Sequence, residues 1–390
     1  MPEPATQHAQ YPLLDGLRFV AALLVVAFHF VGNDTRDVFW ERFLPHGAVV
    51  APYYSHVNEF WFLGYVGVQV FFSISGYIIS VSAVGSSSGL DFFEKRLLRI
   101  LPALWICTAV AAFFFLYFHI LPLTQVAIMS LRSALVLPIG PYIDGVVWTI
   151  IIEMVFYVLV CAYISCADKR RIVHLGYGMI ACSTAYWMAI TAFPALATPA
   201  VTQLAPRLLL EHGAFFGIGI VLSMLGRSGS RGWNWFFLTL GLVPAFLQID
   251  AASLRIYQDF GTHGATASPW PAFLIWLAAI GILYLSTRTA NSGWLSGHRD
   301  LLRRIGLMTY PLYLIHFTTG AFLYAEMEEY FELPPYLASV LDVAAVIVLA
   351  WLIAQYAEVF LRRALKRPFD LLFLQFRTLA YPSAKRRTPA

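Results

Sequence analysis

Charged residues are scarce in this sequence. Asp, Glu, Lys and Arg make up 12% of its 390 residues, whereas hydrophobic residues make up 59% and the mean hydropathy is +0.69. A soluble domain cannot bury so large an apolar fraction, but a bundle of membrane helices can expose it to lipid. The composition therefore excludes an ordinary soluble enzyme and predicts an all-α fold, a polytopic bundle of transmembrane helices.

Cysteine is also rare, with four residues that all lie in or beside apolar runs: Cys107, Cys161, Cys166 and Cys182. They form no CxxC pair and no Cys/His spacing typical of a metal site, so we interpret them as small core residues. The N-terminus lacks the charged region and the cleavage site of a signal peptide, so we expect the first helix to remain as an anchor.

Ten apolar runs have spanning length: 13–31, 62–84, 97–118, 146–166, 172–193, 207–225, 233–249, 270–287, 305–323 and 337–361. Basic clusters at 95–96, 169–171, 227–231, 299–304 and 362–387 lie in alternate connections, and acidic residues lie between them. The positive-inside rule then predicts ten crossings, with both termini on the cytoplasmic side of the inner membrane. Residues 13–361 form the membrane domain, between a cytoplasmic tail (1–12) and a basic cytoplasmic tail (362–390). A shorter run, 124–138, is predicted to be re-entrant or interfacial on the outer side, and an eleventh crossing is the alternative.

The first run contains three ionisable residues, Asp15, Arg18 and His29. Such residues are costly inside a membrane and usually mark function. Arg18 and His29 are separated by about three helical turns, roughly 16 Å, so they share one side of the helix. Asp15 is expected to hold Arg18 as an i,i+3 pair. The alternative is an interfacial Asp–Arg pair with a histidine that only packs.

The second run contains small residues, Gly67, Ser73 and Gly76, that predict a packing seam against the first helix. Gln69 is its one member suspected of a polar role.

A basic stretch follows at 95–99. Arg96 and Arg99 share a helix face, beside Lys95, and can hold phosphates with paired hydrogen bonds. The alternative is an ordinary basic flank that binds anionic lipid. Asp91 and Glu94 are interpreted as a capping box at the start of this helix.

Together these stretches resemble the acyltransferase 3 family of integral membrane O-acyltransferases. The matching segments are 14–18 (LDGLR) with His29, 71–77 (FFSISGY), 96–102 (RLLRILP), 148–153 (WTIIIE) and 309–316 (TYPLYLIH). They cover the chain from about 13 to 320 in the family's order. Two positions depart from the commoner pattern, Phe19 and Pro311.

The resemblance implies an acyl-coenzyme A donor, acetyl-CoA by family frequency, and a hydroxyl acceptor on a cell-surface or exported glycan or a small molecule. It implies no metal and no nucleic acid. Arg96 and Arg99 are expected to hold the donor, helped by Lys95 and Arg18. His29 is expected to act as general base or to become acylated itself, because imidazole titrates near neutral pH.

Glu153 is expected to orient the His29 imidazole, as a carboxylate does in a catalytic triad. The supporting residues are Asp15, Gln69, Ser75, Trp148, Tyr310 and His316. For His316, a second base and a packing hydrogen bond stay open as alternatives. The rival function is a transporter or flippase of a glycan or lipid-linked precursor, which would move its substrate without consuming acyl-coenzyme A.

Overall fold

The computed structural model describes residues 12–30, 58–225, 231–260, 266–286 and 297–380, and these residues form helices and no strands. The helices are α1 Pro12–Phe30, α2 Gly67–Gly85, α3 Gly89–Tyr117, α4 Leu123–Ala134, α5 Val147–Cys166, α6 Val173–Ala192, α7 Pro199–Arg207, α8 Gly213–Met224, α9 Arg231–Phe260, α10 Trp270–Ser286, α11 Arg299–Ile315, α12 Thr318–Glu329, α13 Pro335–Leu352 and α14 Glu358–Ala380. Short helical turns at Asn58–Phe62 and Leu63–Val66 lead into α2, and a π-helical turn at Ile353–Ala357 joins α13 to α14. The predicted all-α class is confirmed.

Six helices in the described ranges are long and apolar enough to cross a bilayer, and α8 and α10 are shorter apolar helices. The polytopic membrane bundle is therefore confirmed. The count of ten crossings and their orientation stay predictions. Part of the charge pattern behind them, including Asp34, Asp37, Glu41 and Arg227, lies outside the described residues.

Three predicted runs differ from the helices that form. The run 305–323 is broken at His316–Phe317, between α11 and α12. In the run 207–225 the helix starts only at Gly213, because Leu209 adopts a left-handed conformation (φ 57°) that ends α7. The run 124–138 yields the 12-residue α4, about 18 Å long and too short to span the hydrocarbon core. At the C-terminus, helix continues through the predicted tail as far as Ala380.

Helix α2 lies between two neighbours that approach its backbone closely. A Cβ atom on Gly67 would lie 2.4 Å from the Ala21 carbonyl oxygen of α1, as the predicted seam requires. A Cβ on Gly76, however, would lie 2.0 Å from the Phe216 oxygen of α8, and one on Gly219 would lie 2.0 Å from the Ser73 oxygen. Ser73 and Gly76 therefore face α8, a helix that α2 contacts as closely as it contacts α1.

Two local predictions are corrected. Cys166 and Cys182 are exposed rather than in the core, because an apolar run in a membrane helix has a lipid face as well as a buried one. The capping box of α3 is one turn earlier than expected. Ser88 Oγ accepts the Asp91 N–H at 3.2 Å, and the Asp91 carboxylate accepts the Ser87 N–H at 3.0 Å.

Candidate active site

Two histidines meet at one end of the bundle, which we call the His29 end. His29 lies in the last turn of α1, and His316 follows α11 at the break before α12. The Nδ1 atom of His29 is 3.1 Å from Nε2 of His316, and the two ring centroids are 5.1 Å apart. His316 is fully buried. Both histidines had been predicted as site residues, but not as a pair.

The backbone fixes which nitrogen of each ring carries the proton. His316 Nδ1 lies 2.9 Å from the Tyr313 carbonyl oxygen and 3.2 Å from that of Leu312, so it donates, and the neutral ring accepts at Nε2. His29 Nδ1 lies between two acceptors, the Val25 oxygen at 3.0 Å and His316 Nε2, so it donates too. The lone pair of the His29 ring is therefore on Nε2.

Asp144 fixes the helix break after His316. Its two carboxylate oxygens accept the N–H of Val146, where α5 begins, at 3.0 Å and the N–H of Thr318, where α12 begins, at 3.1 Å. The Asp144 side chain is buried, and burial raises its pKa to about 6 although both N–H groups favour the anion. One carboxyl thus joins the start of α5 to the His316 break.

Replacing Asp144 by alanine is expected to lower the melting temperature by about 5 °C or more in detergent, because each buried N–H left without an acceptor costs about 1–3 kcal/mol. The matched control is Asp168→Ala, which removes an exposed cap on the Arg170 N–H. It should shift the melting temperature by less than half as much. Equal shifts in the two variants would show that Asp144 does not hold the break.

Glu153 does not contact His29 in this structure, contrary to expectation. Its Oε1 accepts the hydroxyl groups of Ser75 at 2.6 Å and Tyr157 at 2.8 Å. His29 is next to the last residue of α1, whereas Glu153 lies six residues, about 9 Å, inside α5. Among the described residues, His316 is the polar side chain that reaches His29.

Glu153 instead lines a cavity of about 60 Å³ between α1, α2, α5 and α11. Its other polar lining groups are Arg18, Ser75, Thr149, Thr309, Tyr310 and Tyr313. By the usual measure this volume holds about four water molecules. The Nε atom of Arg18 is buried and has no hydrogen-bond partner in the described part of the chain. The negative charges of Asp15 and Glu153 both act on this guanidinium.

Asp15 does not hold Arg18 by a direct ion pair in the described residues. Its carboxyl group lies against Gly306 of α11, where a Cβ atom would be 2.6 Å from Asp15 Oδ1. The charges of Arg18 and Arg303 both act on it. Asp15 therefore joins α1 to α11 at the end of the bundle opposite His29.

The predicted donor ligands lie at that opposite end, which we call the Arg99 end, and they are not equivalent. Arg99 donates to Glu358 Oε1 at 2.5 Å, and Arg362 donates to the same oxygen. Glu358 is buried and follows the π-helical turn. Because Arg99 and Arg362 both donate to it, its charge is already shared between two guanidinium groups.

Arg96 is less engaged. Its Nη2 donates to Ser82 Oγ at 3.0 Å, whereas its buried Nε has no partner in the described chain. Lys95 is exposed and paired with Asp91 at 3.0 Å. Of the three basic residues of α3, Arg96 has most donor capacity left for a ligand.

One face of α11 connects the two ends. The guanidinium of Arg99 is 5.9 Å from the ring centre of Tyr310, and Tyr310 and Tyr313 both line the cavity. The Tyr313 hydroxyl is 2.8 Å from Thr149 Oγ1, and His316 follows at the same three-residue spacing. A polar path thus runs from Arg99 past the cavity to the histidine pair.

The remaining supporting residues have different surroundings. Gln69 is buried and donates to Gln248 Oε1 at 3.1 Å, which ties α2 to α9 away from the cavity. Trp148 is 42% exposed, and its ring lies 5.8 Å from that of His212. Only Ser75 and Tyr310 of the supporting set line the cavity together with Glu153.

Sequence reasoning missed five residues that shape the site: Asp144, Thr149, Tyr157, Tyr313 and Glu358. Two signals were readable, since Tyr157 follows Glu153 by one turn and Tyr313 lies midway between Tyr310 and His316 on one helix face. Glu358 lies near the end of the apolar run 337–361, which also contains Asp342, and the sequence pattern did not single it out. Its partner on α3 depends on tertiary packing.

Comparisons with known proteins give one family and several relatives. The acyltransferase 3 family, described as an acyltransferase domain, matches residues 11–355. An O-acetyl transferase of Shigella phage Sf6 is 37% identical over 101 residues, 26% of each chain. Nodulation protein 10 of Rhizobium leguminosarum bv. viciae is 32% identical over 116 residues, 23% of this chain and 30% of that protein. Acyltransferase MdmB of Streptomyces mycarofaciens is 26% identical over 349 residues, 78% of each chain.

No solved structure matches the chain. The family match covers the cavity, both histidines and the arginines of α3. The chain therefore belongs to the acyltransferase 3 family.

Proposed function

We propose that the protein transfers an acyl group, acetyl in the first instance, from acyl-coenzyme A to a hydroxyl group of a cell-surface or exported glycan. The observation that carries this proposal is the hydrogen-bonded pair of His29 and His316, which leaves the lone pair of His29 on Nε2. The ring of Tyr313, which contacts that of His316, lines the polar cavity. An alcohol is a weak nucleophile until a base takes its proton. The names of the phage and Streptomyces relatives support acyl transfer, and the phage name supports acetyl.

The chemistry assigned to His29 is general base catalysis. Nε2 removes the proton of the acceptor hydroxyl while its oxygen attacks the thioester carbonyl carbon. The carbon–sulfur bond then breaks, and the thiolate of coenzyme A takes the proton from the imidazolium. His316 accepts a hydrogen bond from Nδ1 throughout and keeps the ring oriented. Transient acylation of His29, followed by transfer to the acceptor, uses the same nitrogen.

The donor is proposed to enter at the Arg99 end, where the basic residues of α3 and α14 lie, and this end is proposed to be cytoplasmic. Its thioester arm would run along Tyr310 and Tyr313 toward His29. A cavity of about 60 Å³ cannot hold the arm, so donor binding has to widen it. The acceptor is proposed to approach from the His29 end, which places donor and acceptor on opposite sides of the membrane.

The decisive experiment uses membranes with the intact protein, with the His29→Ala variant, or with neither. Labelled acetyl-coenzyme A and a surface-polysaccharide extract are supplied, and label is followed into base-labile ester on glycan. We expect ester only with the intact protein. Movement of the glycan across the membrane without any ester would instead support the transporter function.

Arg96→Ala is expected to raise the KM for acyl-coenzyme A about tenfold or more, because a hydrogen bond to a charged phosphate contributes about 1.5–3 kcal/mol. Lys95→Ala is the matched control. Lys95 is exposed and already paired with Asp91, so its loss should change this KM less than twofold. An equal rise in both variants would indicate a general attraction by basic charge rather than a phosphate ligand at Arg96.

A further inference from the structure

A second polar cluster lies at the His29 end, on the other side of Phe72 from the cavity. Phe72 lines the cavity, and its ring centroid is 5.2 Å from that of His212. The ring of Trp148, in the first turn of α5 next to Thr149, contacts His212. Glu211 precedes His212 in the chain, just before α8. This cluster, completed by Arg255 of α9, has no role in the chemistry assigned to His29.

The cluster combines buried and exposed polar groups. Glu211 is buried, and its Oε1 accepts Arg255 Nη2 at 3.0 Å and lies 3.8 Å from His212 Nε2. Trp187 donates to the Glu211 carbonyl oxygen at 3.1 Å and so fixes the backbone. The Arg255 side chain is 61% exposed, which leaves N–H groups facing outward. Glu211 and Arg255 therefore hold each other in place, and the exposed Arg255 guanidinium keeps N–H groups for a ligand.

One atom of the cluster lacks a partner. His212 is 3% exposed, yet its Nδ1 forms no hydrogen bond within the described chain. A buried polar atom without a partner is costly, and it calls for a ligand or an ordered water. A hydroxyl group can donate or accept, so it suits this nitrogen in either tautomer. A half-exposed indole, Trp148, lies beside it.

We propose that Trp148, Glu211, His212 and Arg255 form a subsite that binds a hydroxyl-rich glycan and presents one of its hydroxyl groups toward the cavity. An indole face covers the apolar face of a sugar ring, and a fixed carboxylate and guanidinium bind its hydroxyl groups. The subsite rests on the proposed function, because it takes the acceptor of that reaction. The ring of Phe72 contacts His212 on one side and lines the cavity on the other, so it separates the subsite from the cavity.

The test measures transfer kinetics with Arg255→Ala and Trp148→Leu. The control is Trp233→Leu, a 60% exposed tryptophan at the opposite end of α9. The acceptor consists of oligosaccharides released by mild acid from the surface polysaccharide of the expressing cells. We expect the acceptor KM to rise about tenfold in each test variant, while the donor KM and the kcat at saturating acceptor stay within about twofold. The control should match the intact protein.

Direct binding of the same oligosaccharides to the detergent-purified protein, by calorimetry without donor, separates the two proposals. Transfer by the intact protein with an unchanged acceptor KM in both variants would overturn the subsite and leave the acyltransferase function standing. A fall in kcat alone would show a structural role and overturn it as well. Absence of transfer, with binding that Arg255→Ala abolishes, would support the subsite and reject the function. Absence of both transfer and binding would overturn the subsite.

Discussion

His29→Ala is expected to reduce acyl transfer about a thousandfold, within the range of roughly 10² to 10⁴ that general base catalysis contributes. The hydrogen bond from Nδ1 to His316 leaves Nε2 as the basic nitrogen, and alanine removes it without disturbing the Arg99 end. Binding of acyl-coenzyme A should therefore persist. The measurements are labelled ester formed per amount of protein and retention of labelled donor on the same membranes.

Two substitutions of His316 test whether it acts through His29. His316→Gln offers an amide oxygen that can accept the Nδ1 proton of His29, whereas His316→Leu offers none. We expect the glutamine variant to retain at least tenfold more activity than the leucine variant, at equal melting temperature. If both lose activity equally, His316 has a role other than orienting His29. If His29→Ala loses donor binding as well as transfer, the division between a donor end and a base end is wrong.

The residues of the candidate site could be picked out from the sequence because a charged side chain in an apolar run is so costly that few positions have one. Arg18, His29 and Glu153 stood out for this reason, and all three lie in or beside the polar path. The all-α fold was predictable for a related reason, since the backbone N–H and C=O groups of each apolar run must form their hydrogen bonds within one helix.

The pairing of these residues was not readable. Glu153 was assigned to His29 because both lie in the half of the bundle at the His29 end. A depth difference of a few residues, however, decides which side chains touch. Arg99 was predicted to be a phosphate ligand, but Glu358, near the end of the predicted run 337–361, accepts a hydrogen bond from it. Contacts between helices distant in sequence follow from packing, and a pattern within one helix does not contain them.

The surroundings of Glu153 lead to the second large effect. Glu153→Gln is expected to lower transfer about a hundredfold, which corresponds to about 2.7 kcal/mol of barrier. The two hydrogen bonds to Glu153 both end on Oε1, so a glutamine oxygen can keep them, and the substitution removes only the charge. Arg18 then keeps only Asp15 of the two carboxylates whose charge acts on it, and reducing the compensation of a charge inside the bundle is unfavourable. Tyr157→Phe is the matched control, because it removes one hydrogen bond and leaves the charge, and we expect less than a tenfold loss.

The double variant Arg18→Gln with Glu153→Gln decides what this charge is for. If Glu153 helps to balance Arg18, removing both charges should cost less than the product of the two single losses, because the two opposite charges are then removed together. The pH dependence of kcat should then keep its shape in Glu153→Gln, because the imidazole of His29 is oriented by His316. If Glu153 instead acts on His29, the two losses multiply and the pH profile of kcat moves, because the carboxylate would stabilise the imidazolium. The Glu153 carboxylate and the His29 imidazole lie at separate points along one polar path, and these two measurements distinguish that arrangement from a triad.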